Sequence, residues 1–268
     1  VLIGGPGQGK TTIGQFICQL YRASLLKNSN VHLSPEAQDV INEINEQCEK
    51  DDIRLPQCKR FPIRIVLNEY ASFLASKDTN RPKTVLSFIL KKIEEKANSE
   101  ISYNDFKNWL RSYPWLLIFD GLDEVPASSN REELLQTVSD FLVDVSHLDS
   151  DILIIATSRP QGYDKNRDFS SKYYHHLYLT PLSDKRALFY GNRLAEIRYG
   201  NDIDRKNKVI ARLERATKQP DTARLMRSPL QVTIMATLVD QIGQPPQERW
   251  RLFKEYYEVI GRREKERD

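Results

Sequence analysis

A glycine-rich segment near the start of the chain has the residue types and spacing that bind phosphate groups. Gly4–Thr11 satisfies the pattern G-x-x-x-x-G-K-[ST], directly after the apolar run Val1–Ile3 and directly before a helical pattern. Backbone N–H groups from Gly7 to Thr12 are expected to converge on a β-phosphate, and a helix N-terminus adds about half a positive charge. The predicted cofactor-binding residues of this segment are Gly4, Pro6, Gly7, Gln8, Gly9, Lys10, Thr11 and Thr12.

Two side chains of this loop carry the chemistry of a nucleoside triphosphate site. Lys10 is expected to reach the β- and γ-phosphates. The Thr11 hydroxyl is expected to be a ligand of Mg²⁺, an ion that keeps most of its waters and needs only one or two protein oxygens. The segment therefore predicts a site for a nucleotide with Mg²⁺.

Three carboxylates follow the most apolar strand pattern of the chain. Trp115–Phe119 is a continuous apolar run, typical of a strand covered on both faces, and it leads into Asp120–Glu124. Carboxylates at the carboxyl end of a strand face the ligand crevice of an open sheet. Asp120 is predicted to hold Mg²⁺ through water. Asp123 or Glu124 is predicted to orient or deprotonate the attacking water, with Glu124 favoured as the base.

An arginine further along the chain is a candidate for contact with the nucleotide, and a proline begins a later helical pattern. The apolar run Ile152–Ala156 continues into Thr157–Pro160, which places Arg159 beside a γ-phosphate if this strand adjoins the loop strand. Arg159 could then sense the terminal phosphate. Pro229 follows Ser228 at the start of a helical pattern, where a first-turn proline is usually only a cap.

Five short apolar or β-branched runs alternate with helical patterns or loops, which predicts an α/β fold with a five-stranded parallel sheet. The runs are Val1–Ile3, Pro62–Leu67, Trp115–Phe119, Ile152–Ala156 and Leu177–Leu179. The strand patterns then stop, and segments near residues 183–199, 203–217, 229–242 and 247–261 are predicted to be helices. We expect a nucleotide-binding domain over residues 1–182, a helical subdomain over residues 183–246 and a further helix within residues 247–268.

Two helix starts can be predicted from their capping residues. Ser34 followed by Pro35 is typical of a cap and a first-turn proline. Asn130, with Glu133 three residues later, is typical of a capping box. Both pairs precede helical patterns that cross over between predicted strands.

The composition excludes several classes of protein. The 268 residues are 40% hydrophobic and 29% charged, which is enough apolar sequence for a core and excludes disorder. No run approaches the roughly 18 apolar residues of a membrane-spanning helix. The sequence contains neither a signal peptide nor a C-x-x-C pair. We therefore expect a cytoplasmic protein with no membrane partner and no structural zinc.

The charge and the first residues of the chain add two expectations. Residues 181–268 carry 19 Lys and Arg against 13 Asp and Glu, which indicates a solvated helical face or a surface for phosphates or an acidic partner. The chain begins without Met inside an apolar run, which is typical of an excised fragment.

The strand pattern narrows the class of protein that could carry this loop. In the simplest P-loop kinases and GTPases the acidic strand neighbours the loop strand, whereas a further strand lies between them in the branch with a catalytic glutamate. We expect the second arrangement, in a three-layer α/β/α P-loop NTPase fold. A GTPase would also carry Asn-Lys-x-Asp and an ABC-type ATPase Leu-Ser-Gly-Gly-Gln, and neither sequence occurs.

Taken together, the motifs resemble the NACHT branch of the STAND nucleotide-binding proteins, relatives of the animal inflammasome receptors. Bacterial members, many implicated in anti-phage defence, look most similar. The resemblance rests on Gly4–Thr12, Asp120–Glu124, Thr157–Pro160 and Leu225–Leu230.

The resemblance implies a site for ATP or ADP with Mg²⁺. In such a site, Asp120 would bind the Mg²⁺, and Asp123 and Glu124 would act on the hydrolytic water. Arg159 would contact the γ-phosphate, and Pro229 would pack on the adenine. It also implies that residues 247–268 reach the junction with a truncated winged-helix domain. Effector and sensor domains would lie outside the chain.

Three functions compete at this point. The favoured one is a regulatory switch, in which ATP binding and slow hydrolysis control self-association and an effector. The second is a motor-like or nucleic-acid-associated ATPase that turns over continuously, although no sequence feature indicates nucleic acid. The third is a small-molecule kinase, for which no residues define a second substrate pocket. A switch should hydrolyse ATP far below the median enzyme rate of about 10 s⁻¹ unless it is triggered.

Overall fold

The chain folds into two compact units. The computed structural model describes residues 1–27, 29, 32–77, 81–126, 129–161, 163–243 and 246–265, with side chains up to Val259. The sheet unit comprises Val1–Gly4 and Lys10–Tyr178, and the helical unit comprises Gly5–Gly9 and Leu179–Asp268. The helical unit therefore contains the segments predicted as residues 183–246 and 247–268 together with the tip of the glycine-rich loop.

Within the described residues, five strands form one sheet and all of their pairings are parallel, which confirms the predicted α/β fold. The strands are β1 (Leu2–Ile3), β2 (Phe61–Val66), β3 (Trp115–Asp120), β4 (Ile152–Ser158) and β5 (Leu177–Tyr178). Their order across the sheet is β2-β3-β4-β1-β5. The expectation that a further strand separates the loop strand β1 from the acidic strand β3 is thus confirmed, and that strand is β4.

Helices precede and follow the strands of the sheet unit. They are α1 (Lys10–Leu26), α2 (Pro35–Lys50), α3 (Leu67–Ala75), α4 (Val85–Ala97), α5 (Tyr103–Ser112) and α6 (Arg131–His147). The sequence pattern did not predict α3 or α5. Helix α3 follows β2 with no turn residue between them, and α5 buries only Phe106 and Leu110, too few residues to show a helical period.

Of the two predicted caps, one is confirmed and one is wrong. The Ser34 side chain accepts a hydrogen bond from the Ala37 N–H at 3.3 Å, with Pro35 in the first turn. Asn130 precedes α6, but its side chain makes no capping hydrogen bond. Its Nδ2 instead donates to the carbonyl of Ala71 at 2.8 Å. A partner distant in the sequence therefore displaces the predicted capping box.

Strand β3 is buried at every residue and divides the apolar core of the sheet unit. Trp115, Leu117 and Phe119 belong to a cluster with side chains of α3, α4, α5 and α6. Leu116 and Ile118 pack with Cys18 of α1. Because neighbouring strand residues point to opposite faces, helices cover β3 on both sides. This arrangement is compatible with three α/β/α layers.

The helical unit has its own apolar core. Its helices are α7 (Asp184–Tyr199), α8 (Ile203–Lys218), α9 (Pro220–Ala223), α10 (Pro229–Gln241) and α11 (Arg249–Lys265). The four helices predicted after the last strand are confirmed. Leu213, Met235 and Leu252 are fully buried in a core to which α8, α10 and α11 contribute. Across the described residues of both units, we find no helix with the length and apolarity needed to cross a membrane.

Candidate functional site

The first and last residues of the glycine-rich loop belong to the sheet unit. The Gly4 N–H donates to the Ser158 carbonyl at 3.1 Å, so the chain leaves β1 beside the end of β4. Helix α1 then begins at Lys10, whose Nζ donates to the Gly4 carbonyl at 2.7 Å. First-turn N–H groups of an α-helix have no acceptor within the helix. The start of α1 therefore presents the kind of donors that a phosphate requires.

Lys10 lies within electrostatic reach of the other predicted site residues of the sheet unit. Burial lowers the pKa of the Lys10 ammonium, and Asp123 opposes this shift. Arg159 lowers the pKa further, while Asp120 and Glu124 raise it. Because burial disfavours the charged form of Lys10, a phosphate beside it would restore stability to that form.

The tip of the loop, Gly5–Gly9, packs within the helical unit. Gly7 has a φ of +72°, in the left-handed region, and a Cβ there would lie 2.7 Å from the Cβ of Leu230. The Gly7 carbonyl accepts a hydrogen bond from the Leu230 N–H at 3.2 Å. Both the backbone conformation and this close approach require glycine at position 7. The Gln8 side-chain oxygen accepts a hydrogen bond from the Gly5 N–H.

Pro229 occupies the first turn of α10, next to this loop tip. Ser228 caps the helix by accepting a hydrogen bond from the Gln231 N–H at 3.3 Å. A Cβ added at Gly9 would lie 4.0 Å from the Cγ of Pro229. The structure thus gives Pro229 the helix-start position expected from the sequence, and its packing on adenine stays a prediction.

The helical unit also contains a cavity of about 610 Å³ beside the loop tip. Gly5, Pro6 and Gln8 line one part of it. Side chains from the segment before α10 and from the start of α11 line the rest, among them Arg224, Arg227, Arg249 and Trp250. The sequence analysis predicted a site role for none of these four residues, although Arg227 lies within the segment Leu225–Leu230.

Asp120 ends β3 and is held by three side chains. It is 3% exposed. Its Oδ1 accepts a hydrogen bond from the Thr157 hydroxyl at 2.6 Å and another from the Thr11 hydroxyl at 3.3 Å. Its Oδ2 accepts from Arg64 Nε at 2.9 Å and forms an ion pair with Arg64 Nη2 at 2.8 Å. The guanidinium of Arg64 therefore balances the charge of this buried carboxylate.

The sequence analysis missed Arg64. In the paired strands Val66 lies opposite Asp120, and residues two apart on a strand share a face, so Arg64 and Asp120 project on the same side. The one feature of the sequence that could have indicated Arg64 is that it is a single arginine within the otherwise apolar β2. That arginine needs an acidic partner when its strand is covered.

The Thr11 hydroxyl and the Asp120 carboxylate fit the Mg²⁺ predicted here. Both are hard oxygen ligands, and their atoms lie 3.3 Å apart. Among the residues that the structure describes, no group of three or more His, Cys, Asp and Glu side chains could hold a metal ion. A Mg²⁺ at this place would therefore depend on water and phosphate oxygens for its remaining ligands.

A 3₁₀ turn, Leu122–Glu124, follows β3 and carries the other two carboxylates. It starts after Gly121, which has a φ of +83° and whose N–H donates to the Thr157 hydroxyl at 2.9 Å. Glu124 is exposed, and its carboxylate makes no hydrogen bond or ion pair with the described residues. Of the two candidate bases, Glu124 is therefore the one whose oxygens are available to a water molecule.

The carboxylate of Asp123 is bound on both oxygens by Arg159. Its Oδ1 accepts the backbone N–H of Arg159 at 2.9 Å, and its Oδ2 pairs with Arg159 Nε at 2.9 Å. Arg159 directly follows β4, and β4 adjoins the loop strand β1. This adjacency is the condition under which the sequence placed Arg159 beside a γ-phosphate. The arginine predicted at the γ-phosphate and one of the predicted catalytic carboxylates thus form one pair.

The predicted site residues divide between the two units. The sheet unit contains Gly4, Lys10, Thr11, Thr12, Asp120, Asp123, Glu124 and Arg159, and the helical unit contains Pro6, Gly7, Gln8, Gly9 and Pro229. In the sheet unit, the residues around Lys10 meet at the carboxyl ends of β1, β3 and β4. That is where ligands bind in open α/β sheets.

We expect Arg64→Met to lower the free energy of unfolding by about 3 kcal/mol, because the Asp120 carboxylate would stay buried without its cation. Lys92→Met is the matched control, because Lys92 pairs with a half-exposed Glu69 at 2.7 Å. This substitution should lower the free energy of unfolding by less than about 1 kcal/mol. Urea denaturation of both variants measures the difference. Adding Asp120→Asn to Arg64→Met should recover part of the loss. Equal losses in the two single variants would contradict a structural role of the Arg64–Asp120 pair.

A scan against models of known protein families gives no match, and a search of curated proteins gives none either. The functional assignment therefore depends on the residues and geometry described above.

Proposed function

We propose that this chain is the nucleotide-binding switch module of a NACHT-type STAND ATPase, which binds Mg²⁺ with ATP or ADP and hydrolyses ATP slowly. One observation carries the proposal: Lys10, Arg159 and the carboxylates of Asp120, Asp123 and Glu124 interact electrostatically at the carboxyl ends of adjacent parallel strands. Phosphoryl transfer to water needs a cation at a helix start, neighbouring carboxylates and a second cation, and these residues include all three.

Each residue has a defined part in this proposal. Lys10 and the N–H groups at the start of α1 bind the phosphates, and Thr11 and Asp120 hold the Mg²⁺, which when bound neutralises charge on the phosphate oxygens. Glu124 accepts a proton from the attacking water as the water oxygen bonds to the γ-phosphorus and the bond to ADP breaks. Arg159 contacts the γ-phosphate, and Pro229 packs on the adenine.

A switch follows if the two nucleotides differ in their contacts. ATP and ADP differ at the γ-phosphate, so Arg159 would bind only the first of them. A ligand shifts a conformational equilibrium only through its differential affinity for the two states. In the proposed protein this difference controls self-association and an effector outside the chain, in the cytoplasm, in an anti-phage or innate immune response.

We expect calorimetric titration of the chain with Mg²⁺ to detect binding of both ATP and ADP and much weaker binding of GTP. Steady-state turnover of ATP should lie far below the median enzyme rate of about 10 s⁻¹, because a switch must hold its ATP form. Turnover near that rate would favour the alternative, a continuously cycling motor-like or nucleic-acid-associated ATPase. Absence of binding to any nucleotide would refute both.

A further inference from the structure

The contact between Asp123 and Arg159 suggests a role for Asp123 other than catalysis. The Asp123 side chain is 9% exposed; its Oδ1 accepts the backbone N–H of Arg159, and its Oδ2 forms an ion pair with Arg159 Nε at 2.9 Å. The two residues lie 36 positions apart in the sequence. One carboxylate therefore fixes both the main chain and the side chain of the same arginine.

This double contact determines how the guanidinium is oriented. An arginine has five N–H donors in one rigid plane, so an ion pair at Nε, together with the bonded main chain, restricts the direction in which the remaining four point. The two terminal amino groups of Arg159 make no hydrogen bond with the described residues. The side chain of Arg159 is 44% exposed, so part of it is accessible to a ligand.

We propose that Asp123 is a positioning residue, which orients the terminal amino groups of Arg159 toward the γ-phosphate. This inference rests on the proposed function and deepens it, because it names the residue that makes the arginine selective for ATP. In this arrangement Glu124 is the only residue that accepts a proton from the attacking water. Both oxygens of Asp123 are engaged, whereas a base needs an oxygen that can reach the water.

The charges of the neighbouring groups support this role. Lys10 and Arg159 are two cations that interact electrostatically with each other and with Asp123. A carboxylate paired with Arg159 reduces the repulsion between the two cations. Asp123 thus allows both cations to face one triphosphate.

The test is a double-mutant cycle on nucleotide affinity. Asp123→Asn retains one acceptor oxygen for two donors, so it cannot keep both contacts with Arg159. We expect Asp123→Asn and Arg159→Ala each to weaken ATP binding about tenfold or more and ADP binding less than about threefold. The double variant should bind ATP no more weakly than Arg159→Ala alone, because Asp123 would act only through Arg159.

Two outcomes would overturn the inference. Losses of ATP affinity that add in the double variant would mean that Asp123 acts independently of Arg159. Unchanged ATP affinity in Asp123→Asn, combined with hydrolysis as slow as in Glu124→Gln, would make Asp123 the base. By contrast, a wild-type chain that binds no ATP would refute the proposed function itself and can be recognised before any variant is made.

A second variant keeps the test decisive if Asp123→Asn does not fold. Asp123→Glu retains the charge but places its carboxylate one methylene further out, so it cannot accept both donors of Arg159 in the same geometry. We expect it to lose ATP affinity selectively, as Asp123→Asn does. Circular dichroism and wild-type ADP affinity identify a folded variant, and a folded Asp123→Glu with wild-type ATP affinity would contradict the positioning role.

Discussion

Lys10→Ala is expected to lower the affinity for ATP about a hundredfold or more and to leave the chain folded. Two charge-assisted contacts with the β- and γ-phosphates, each contributing about 1.5–3 kcal/mol, would be lost together. The cost to folding should be small. Burial already disfavours the charged form of Lys10, whose Nζ donates a hydrogen bond to the Gly4 carbonyl. Isothermal titration calorimetry with ATP and ADP measures the change in affinity.

The control for Lys10→Ala is Lys96→Ala. Lys96 is an exposed lysine in the last turn of α4, and its removal changes the net charge of the chain by the same amount. It should leave the dissociation constants for both nucleotides unchanged. Wild-type affinity for ATP in a folded Lys10→Ala variant would mean that the glycine-rich loop does not bind phosphate.

Glu124→Gln is expected to slow single-turnover hydrolysis about 10²–10⁴-fold and to keep the affinity for ATP with Mg²⁺ near the wild-type value. The amide preserves the size of the side chain but cannot accept the proton of the attacking water. Because Glu124 is exposed and makes no hydrogen bond or ion pair with the described residues, the substitution should not change stability. Rapid-quench measurement of ADP formed from a bound stoichiometric amount of ATP gives the rate.

Glu132→Gln is a suitable control for that experiment. Glu132 is an exposed glutamate in the first turn of α6, and its substitution should leave the hydrolysis rate unchanged. If Glu124→Gln hydrolyses ATP at the wild-type rate, Glu124 is not the base. Asp123 would then be the remaining candidate for the base at this turn. The double-mutant cycle of Asp123→Asn and Arg159→Ala would also detect such a role.

Most secondary structure of this protein could be predicted because it is encoded locally. The apolar run of β3 and the patterns of α7, α8 and α10 each lie within one continuous segment of the chain. The helices that were missed are those whose local signal is weak, as in α5, or whose start directly follows a strand, as in α3. The wrong capping box at Asn130 has the same origin, since its side chain bonds to Ala71, 59 positions away.

By itself, the sequence determined that the chain has a glycine-rich loop between a strand and a helix, an acidic turn after a buried strand, and a parallel α/β sheet followed by helices. Residue type, spacing and short-range periodicity are sufficient for these features. The tertiary structure alone decided which charged groups pair at the candidate site. Arg64 meets Asp120 because β2 adjoins β3 in a register that aligns their faces, and Arg159 meets Asp123 where β4 adjoins β3. Strand order and register bring together residues far apart in the sequence, and no local pattern encodes such a pairing.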